Sequence, residues 1–343
     1  MISALGISID ALGTWLAANV AGFANLSAVE KYSSGQSNPT FLLEAGSGKY
    51  VLRAKPAGKL LPSAHMVERE YRVMEALGAT KVPVPRVLAL AEDGDSPIGR
   101  AFFVMEHLDG RVFWDPALPE LAPDERGRIY DAMSQVLADL HSLDPARIGL
   151  ADYGKPGNYF ARQTIRWAGQ YRASAPSPRP DMERLIAWLE ENMPEDDGQV
   201  ALVHGDYRLD NMMFSAESES VIGLLDWELS TLGHPFADLA YQCMQWRLPH
   251  GGGMRGLGGL DRRVLGLPQE AAYIDAYAAR RGIAPPENWP FYLAFAFFRL
   301  AAILEGVVAR ARGGNASNPA KAREYETAIP TLLALALDVI GEG

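Results

Sequence analysis

Three oxygen-bearing side chains at fixed intervals could carry chemistry in this sequence. Asp206 stands two residues after His204, Asn211 follows after four intervening residues, and Asp226 ends the apolar run Val221-Ile222-Gly223-Leu224-Leu225. A carboxylate can accept the proton of an attacking hydroxyl. An amide oxygen and a second carboxylate are hard donors of the kind Mg²⁺ takes when it also binds substrate phosphates. Base, amide and carboxylate, in that order, are the parts of a kinase catalytic loop, which transfers a γ-phosphate to a hydroxyl. The spacing therefore predicts Asp206 as the base, and Asn211 and Asp226 as metal ligands. Scattered Asp and Asn are ordinarily solvated loop residues. Here the set lies between two strand-like runs, Val200–Val203 and Val221–Leu225, which would hold a tight loop in place.

Phosphates also need a cation, and the elements upstream supply candidates. Phe41 to Glu44 reads as a strand, Gly46-Ser47-Gly48 as a turn, and Lys49 to Lys55 as the returning strand. Two-residue alternation puts Val51, Arg53 and Lys55 on one face. Met66 to Gly78 reads as a helix in which Val67, Glu70, Met74 and Leu77 share a face. Glu70 is thus a carboxylate within an apolar stripe and requires a cationic partner, Arg53 or Lys55. Glu68 falls round the helix and reads as the solvated acid. Before the hairpin, Ser34, Gly35, Gln36 and Ser37 form a small, polar stretch that could lay backbone N–H groups over phosphates, though many Ser/Gly stretches are only loops.

The stretch from His204 to Leu232 (HGDYRLDNMMF through LLDWELSTLG) resembles the aminoglycoside phosphotransferase and choline kinase superfamily. It is most similar to the phosphotransferase domains fused to, or encoded beside, acyl-CoA dehydrogenases. The resemblance runs from about Tyr32 to about Arg312. It implies a two-lobed, protein-kinase-like α+β fold: a small antiparallel sheet lobe over residues 1–107, a hinge near His107, and a larger, mainly helical lobe over 108–343. It implies ATP and Mg²⁺, main-chain groups of Glu106 and Leu108 on the adenine edge, Arg53 as the phosphate cation with Lys55 as the second candidate, and Ser34 to Ser37 over the phosphates. Arg208 falls where many protein kinases carry a lysine that reaches the transferring phosphate; bracing the loop is its other reading. Asp238 would pin the catalytic loop. Two positions depart from the pattern: a single glycine in the phosphate cover, and His234 where relatives often have Asp.

The acceptor stays open at this level. The resemblance implies a small-molecule hydroxyl, with a hydroxyacyl-CoA as the first candidate and functional association with an acyl-CoA dehydrogenase. Aminoglycoside, choline-like and sugar acceptors are alternatives, as is a nucleotide-binding partner without turnover. Lys155, Arg162, Arg166, Arg172, Arg179 and Arg184 make a locally basic segment facing only Asp181 and Glu183. That segment reads either as a dock for an anionic acceptor or as ordinary surface salt bridges. Arg299, within the apolar run Phe291 to Val308, reads as paired with an acid or as binding acceptor phosphate. His141, ending an apolar-striped helix from Ile129, reads as a terminal residue rather than a catalyst.

Composition narrows the classes. A net charge of −10 argues against nucleic-acid binding. One cysteine, Cys243, precludes an intrachain disulfide and fits a reducing, cytoplasmic setting. Six dispersed histidines give no zinc spacing. No run is expected to reach the length of a membrane span: the most apolar, Phe291–Val308, is interrupted by Arg299 and Glu305. No basic region precedes the first apolar residues. Gly46-Ser47-Gly48-Lys49 lacks the spacing of a P-loop, and Gly251, Gly253 and Gly256 sit in a glycine-rich loop with no strand before them.

Overall fold

A computed structural model describes residues 8–32, 38–58, 65–251, 254–313 and 319–341. The chain forms two compact units. The first holds the residues up to Arg111 together with Met213–Ala216 and Ile222–Leu229; the second holds the rest. The expected cut between 107 and 108 is thus corrected in two respects. It falls four residues later, and two short segments from beyond the catalytic loop rejoin the first unit.

The first unit begins with helix α1 (Ile9–Asn19), capped by the Ser8 hydroxyl accepting from the Asp10 N–H at 3.2 Å. Strands β1 (Leu26–Lys31), β2 (Thr40–Ala45) and β3 (Gly48–Ala54) follow, then helix α2 (Val67–Leu77) and strands β4 (Val87–Ala91) and β5 (Phe102–Glu106). These strands form one antiparallel sheet in the order β1-β2-β3-β5-β4. Its alternation sorts the side chains. Phe41, Leu43, Leu52 and Val104 point into a core closed by Leu12 and Leu16 of α1. Val51, Arg53, Phe103 and Met105 therefore take the opposite face, where Tyr71 of α2 packs edge-on against Phe103 with ring centroids 6.2 Å apart. The face that receives Arg53 is the face that α2 covers.

A short strand β6 (Gly110–Arg111) completes the contiguous part. The second unit then contributes α3 (Pro123–His141), α4 (Tyr159–Ser174), α5 (Pro180–Glu191) and β7 (Ala201–Val203). Proline opens α3 and α5, where its missing N–H costs nothing. After the catalytic loop come β8 (Met212–Ser215) and β9 (Val221–Leu224), which form a three-stranded sheet in the order β6-β8-β9. Gly110 is required there, since a Cβ would lie 2.4 Å from the Phe214 carbonyl oxygen.

The second unit resumes with β10 (Thr231–Gly233), which pairs antiparallel with β7, then α6 (Phe236–Cys243), α7 (Glu270–Arg281), α8 (Trp289–Arg312) and α9 (Pro319–Val339). Helix α8 is the centre of this unit. By length and mean hydropathy, 1.8 over its best window, it could cross a membrane, which corrects the expectation that no run reaches that length. In the fold, 83% of that window is buried within the protein. Its internal charges are also met: Glu305 lies 3.4 Å from Arg179 and 3.6 Å from Arg312.

Candidate active site

The first unit assembles the cationic part. Arg53 Nε lies 2.8 Å from Glu70 Oε2, and Arg53 Nη2 lies 2.5 Å from Asp226 Oδ1. Glu70 is 2% exposed, as its place in the apolar stripe requires, and its other oxygen accepts from Asn38 Nδ2 at 2.6 Å. Burial pushes the Glu70 carboxyl up to about 7 against the attraction of Arg53, and the Asp226 charge pushes the same way. Burial opposes the Arg53 charge, but Glu70, Asp226 and Glu228 outweigh it and raise its pKa further.

Asp226 follows β9 in a left-handed conformation, with φ 65°. A non-glycine residue there is uncommon, and Asp tolerates it better than most. The turn is anchored one residue on, where Trp227 Nε1 donates to the Leu224 carbonyl at 2.9 Å.

Lys55 takes a different set of partners. Its Nζ lies 2.5 Å from Glu68 and 3.2 Å from Asp93. Glu68 is therefore an ion-pair partner rather than the free solvated acid expected, and of the two candidates Arg53 is the cation joined to Glu70. Glu106 spends its N–H on the Arg86 carbonyl at 2.9 Å, and its carboxylate accepts from the Arg86 N–H at 2.8 Å. Any adenine contact by Glu106 would run through its carbonyl. The Leu108 side chain packs over Gly223, where an added Cβ would come 2.5 Å from Leu108 Cδ1. Ser34, Gly35, Gln36 and Ser37 lie outside the described residues.

The second unit builds the catalytic loop. Strand β7 delivers His204 and Gly205, whose N–H groups donate to Asp238 Oδ2 at 2.6 Å and Oδ1 at 2.8 Å. Gly205 has φ +84°, a conformation open to glycine. Burial works to raise the Asp238 carboxyl, but the His141 and His204 rings and the Gly205 N–H hold it below its ordinary value. Asp238 pins the loop, as the resemblance implied. His204 Nδ1 accepts from the Asp206 N–H at 3.2 Å, so its role is to hold backbone. Tyr207 anchors the loop from below by donating to the Met133 carbonyl at 2.6 Å.

Asp206 and Asn211 are brought together. Asn211 Nδ2 donates to the Asp206 carbonyl and to Asp206 Oδ2, each at 2.8 Å. With two acceptors on that nitrogen, the amide orientation is fixed by the network, and Oδ1 is the atom left to serve a cation. Arg208 turns to Asp210, its Nε 2.5 Å from Oδ1 and its Nη2 paired with Oδ2. That pairing corresponds to the loop-bracing reading of Arg208.

Other expectations resolve by partner. In the basic segment, Arg172 pairs with Glu183, Arg179 with Glu305 and Arg184 with Asp181. Arg162 donates to the carbonyls of Gly157 and Lys155. Arg166 instead lies over the Trp167 ring at 5.2 Å and, among the described residues, meets no acid. His234 accepts from the Phe236 N–H through Nδ1 at 3.2 Å, so its Nε2 carries the proton toward Asp197, 3.3 Å away. His234 thus holds the first N–H of α6 from the residue before the helix cap. His141, read as a helix end, is buried against Asp238 at 3.3 Å and Tyr277 at 2.7 Å. Sequence reasoning also passed over Tyr241, although it lies one helical turn beyond Asp238.

Comparison with known proteins places this arrangement. Residues 28–295 match the phosphotransferase enzyme family model, APH. Acyl-CoA dehydrogenase family member 10 of Mus musculus is 48% identical over 84% of this chain and 27% of its own length. Acyl-CoA dehydrogenase family member 11 of Rattus norvegicus is 43% identical over 90% of this chain and 40% of its own length. The chain thus spans well under half of these curated relatives. A crystal structure from Ralstonia eutropha JMP134, provisionally described as an aminoglycoside phosphotransferase, superposes with a TM-score of 0.87 at 45% identity, covering 97% of this chain and 98% of that one. The fold is the two-lobed α+β kinase-like fold, and the chain belongs to the phosphotransferase enzyme family of the aminoglycoside phosphotransferase type.

Proposed function

We propose that this phosphotransferase moves the γ-phosphate of ATP to the hydroxyl of a small molecule, and that the acceptor is a hydroxyacyl-CoA. Asp206 accepts or orients the hydroxyl proton. Arg53, braced by Glu70, holds phosphate oxygens. Asn211 and Asp226 would hold Mg²⁺. They fit it in kind: the Asn211 amide nitrogen is committed to Asp206, which leaves a neutral oxygen donor, and Asp226 adds a carboxylate that is 35% exposed. When bound, the cation neutralises charge on the phosphates. Arg208, joined to Asp210, keeps the loop in shape.

The observation that carries the reading is the Asp206–Asn211 pair on a loop whose two leading N–H groups are fixed by one buried carboxylate. Such a loop presents a base without having to reorganise during reaction. Hydroxyacyl-CoA is favoured by the names of the mouse and rat relatives, both acyl-CoA dehydrogenase family members, and by Arg166, an exposed cation without an acid partner among the described residues. An aminoglycoside is the second reading, favoured by the likeness to the Ralstonia protein and its provisional description.

The test is turnover with Mg·ATP over a panel of 4-hydroxyacyl-CoA esters, aminoglycosides and choline, with Asp206→Ala as control. Phosphorylation of the CoA esters, lost in the control, is expected. ATP binding without turnover of any hydroxyl acceptor overturns the proposal in favour of a nucleotide-binding partner of a dehydrogenase.

A further inference from the structure

Arg299 is a buried cation in an unusual place. It sits on α8 and is 7% exposed. Its Nη1 donates to the Gly205 carbonyl at 2.7 Å. Its guanidinium carbon lies 5.8 Å from the Trp167 ring centroid and 5.7 Å from that of Tyr241. Among the described residues no carboxylate is paired with it. A buried guanidinium ordinarily takes an acid. Here a carbonyl dipole and two aromatic faces do that work, since a desolvated cation is attracted to the ring faces. An acid at this point would neutralise the guanidinium and set a second negative charge behind Asp206.

The partners converge on one residue. Gly205 is held through its N–H by Asp238 at 2.8 Å and through its carbonyl by Arg299. Its φ of +84° directs the chain into Asp206. The Tyr241 ring lies against Arg299, and its hydroxyl faces the Asp206 carboxylate. Asn211 Nδ2 is already on Asp206 Oδ2. With Gly205 fixed on both sides, Asn211 donating to the carboxylate and the Tyr241 hydroxyl beside it, few orientations of Asp206 remain.

We infer that Arg299 and Tyr241 are a positioning pair for the base, Arg299 fixing the Gly205–Asp206 peptide and Tyr241 fixing the carboxylate. The inference rests on the reading of Asp206 as base. It gives α8, the central helix of the second unit, a part in catalysis beyond packing. The chemistry of the pair explains why these residue types are needed. A lysine could donate to Gly205 but lacks the flat guanidinium that lies along two rings. A phenylalanine could keep the ring contact but not the hydroxyl.

The experiment uses the full chain as wild type, Tyr241→Phe, Arg299→Lys and Arg299→Met. Thermal melts are compared first. The side-chain carboxyl carbon-13 signal of Asp206, assigned by its loss in Asp206→Asn, is then recorded in aspartate-labelled protein. Finally kcat and KM are measured for Mg·ATP and for a 4-hydroxyacyl-CoA ester. Tyr241→Phe should melt with wild type and move the Asp206 signal. It should lower kcat about tenfold while each KM stays within about twofold, the pattern of a group that acts in the transition state. Arg299→Lys should show the same split, and Arg299→Met a larger one. An unmoved Asp206 signal in Tyr241→Phe overturns the inference, and so does a moved signal with unchanged kcat. The signal requires no acceptor, so it tests the pair even where every hydroxyl in the panel is refused and the functional proposal fails by itself.

Discussion

Arg53 Nη2 lies 2.5 Å from Asp226 Oδ1, so the cation assigned to phosphates and a carboxylate assigned to Mg²⁺ neutralise one another within the first unit. Glu70 shares the same guanidinium from the other side at 2.8 Å. One cation thus serves two acids, one fully buried and one partly exposed. The buried acid depends on it for stability, and the exposed one connects it to function.

Removing the cation should separate those roles. Arg53→Met leaves Glu70 buried without its charge partner, which typically costs ~3–5 kcal/mol. Adding Glu70→Leu to Arg53→Met removes the stranded charge and should restore most of the melting temperature. It should not restore phosphoryl transfer. A double variant that regains activity along with stability would show that Arg53 only braces the helix.

Asp226→Asn keeps a residue type that accepts positive φ, so the turn after β9 should survive. The variant loses a negative oxygen at the site assigned to Mg²⁺. Turnover should fall at least about a hundredfold, the scale seen when a preorganised electrostatic group is removed. The midpoint of thermal unfolding should change little, because Asp226 is partly exposed. Full activity in Asp226→Asn at saturating Mg²⁺ would contradict the metal assignment.

How far the sequence carries the site follows from the range of the interactions. The strand pair bracketing the catalytic loop appears as Ala201–Val203 and Val221–Leu224, close to the two apolar runs that announced it. The Arg53–Glu70 pair was legible because strand alternation and helix periodicity each aim one charge at an apolar face, and a buried acid must find a cation. Partners that depend on tertiary packing were not legible. Nothing near Lys55 in sequence points to Asp93, and nothing near Arg299 points to the Gly205 carbonyl. The acid expected for Arg299 proved to be a carbonyl and two rings, which periodicity cannot distinguish. His141 was read as a helix end because its partners, Asp238 and Tyr277, are brought to it by helices α6 and α7. The unit boundary moved because a two-residue strand, Gly110–Arg111, recruits β8 from a hundred residues away.

The histidines give a pH dependence. Arg281 Nη1 can only donate to the Tyr277 hydroxyl, at 3.0 Å. With the Tyr277 hydroxyl as donor to His141 Nδ1, His141 donates through Nε2 to Asp238. His141 is thus held as the neutral ring in one tautomer. Burial lowers its pKa, and Arg281 and His204 add to that against the pull of Asp238. Burial likewise lowers His234 against Asp197. A histidine whose folded pKa is depressed binds fewer protons folded than unfolded, so stability falls as pH falls through the ordinary histidine value of about 6.5. The melting temperature should drop on acidification below that value. His141→Gln, which keeps a donor toward Asp238, should flatten part of the drop while lowering stability near neutrality. An unchanged slope would show that His141 is not a source of it.

Arg166 offers the sharpest test of acceptor charge. The other arginines of the basic segment are committed: Arg172 to Glu183, Arg179 to Glu305, Arg184 to Asp181 and Arg162 to two carbonyls. Arg166 rests on Trp167 with its charge toward solvent. Arg166→Glu reverses that charge without breaking an ion pair, so folding should be nearly unaffected, as for most surface changes. If the acceptor is a phosphate-bearing CoA ester, its KM should rise about tenfold or more, the cost of replacing one charge-assisted contact by repulsion. The KM for ATP and the kcat should stay near wild type. The effect should shrink as salt rises, because contacts at an exposed cation are screened. Arg172→Glu is the matched control: it opposes Glu183 at 2.5 Å, so it should lower the melting temperature and leave the acceptor KM alone. Equal KM changes in the two variants would mean that the segment acts only through overall charge. A lower KM for a polycationic acceptor in Arg166→Glu, with no change for CoA esters, would move the acceptor toward the aminoglycoside reading.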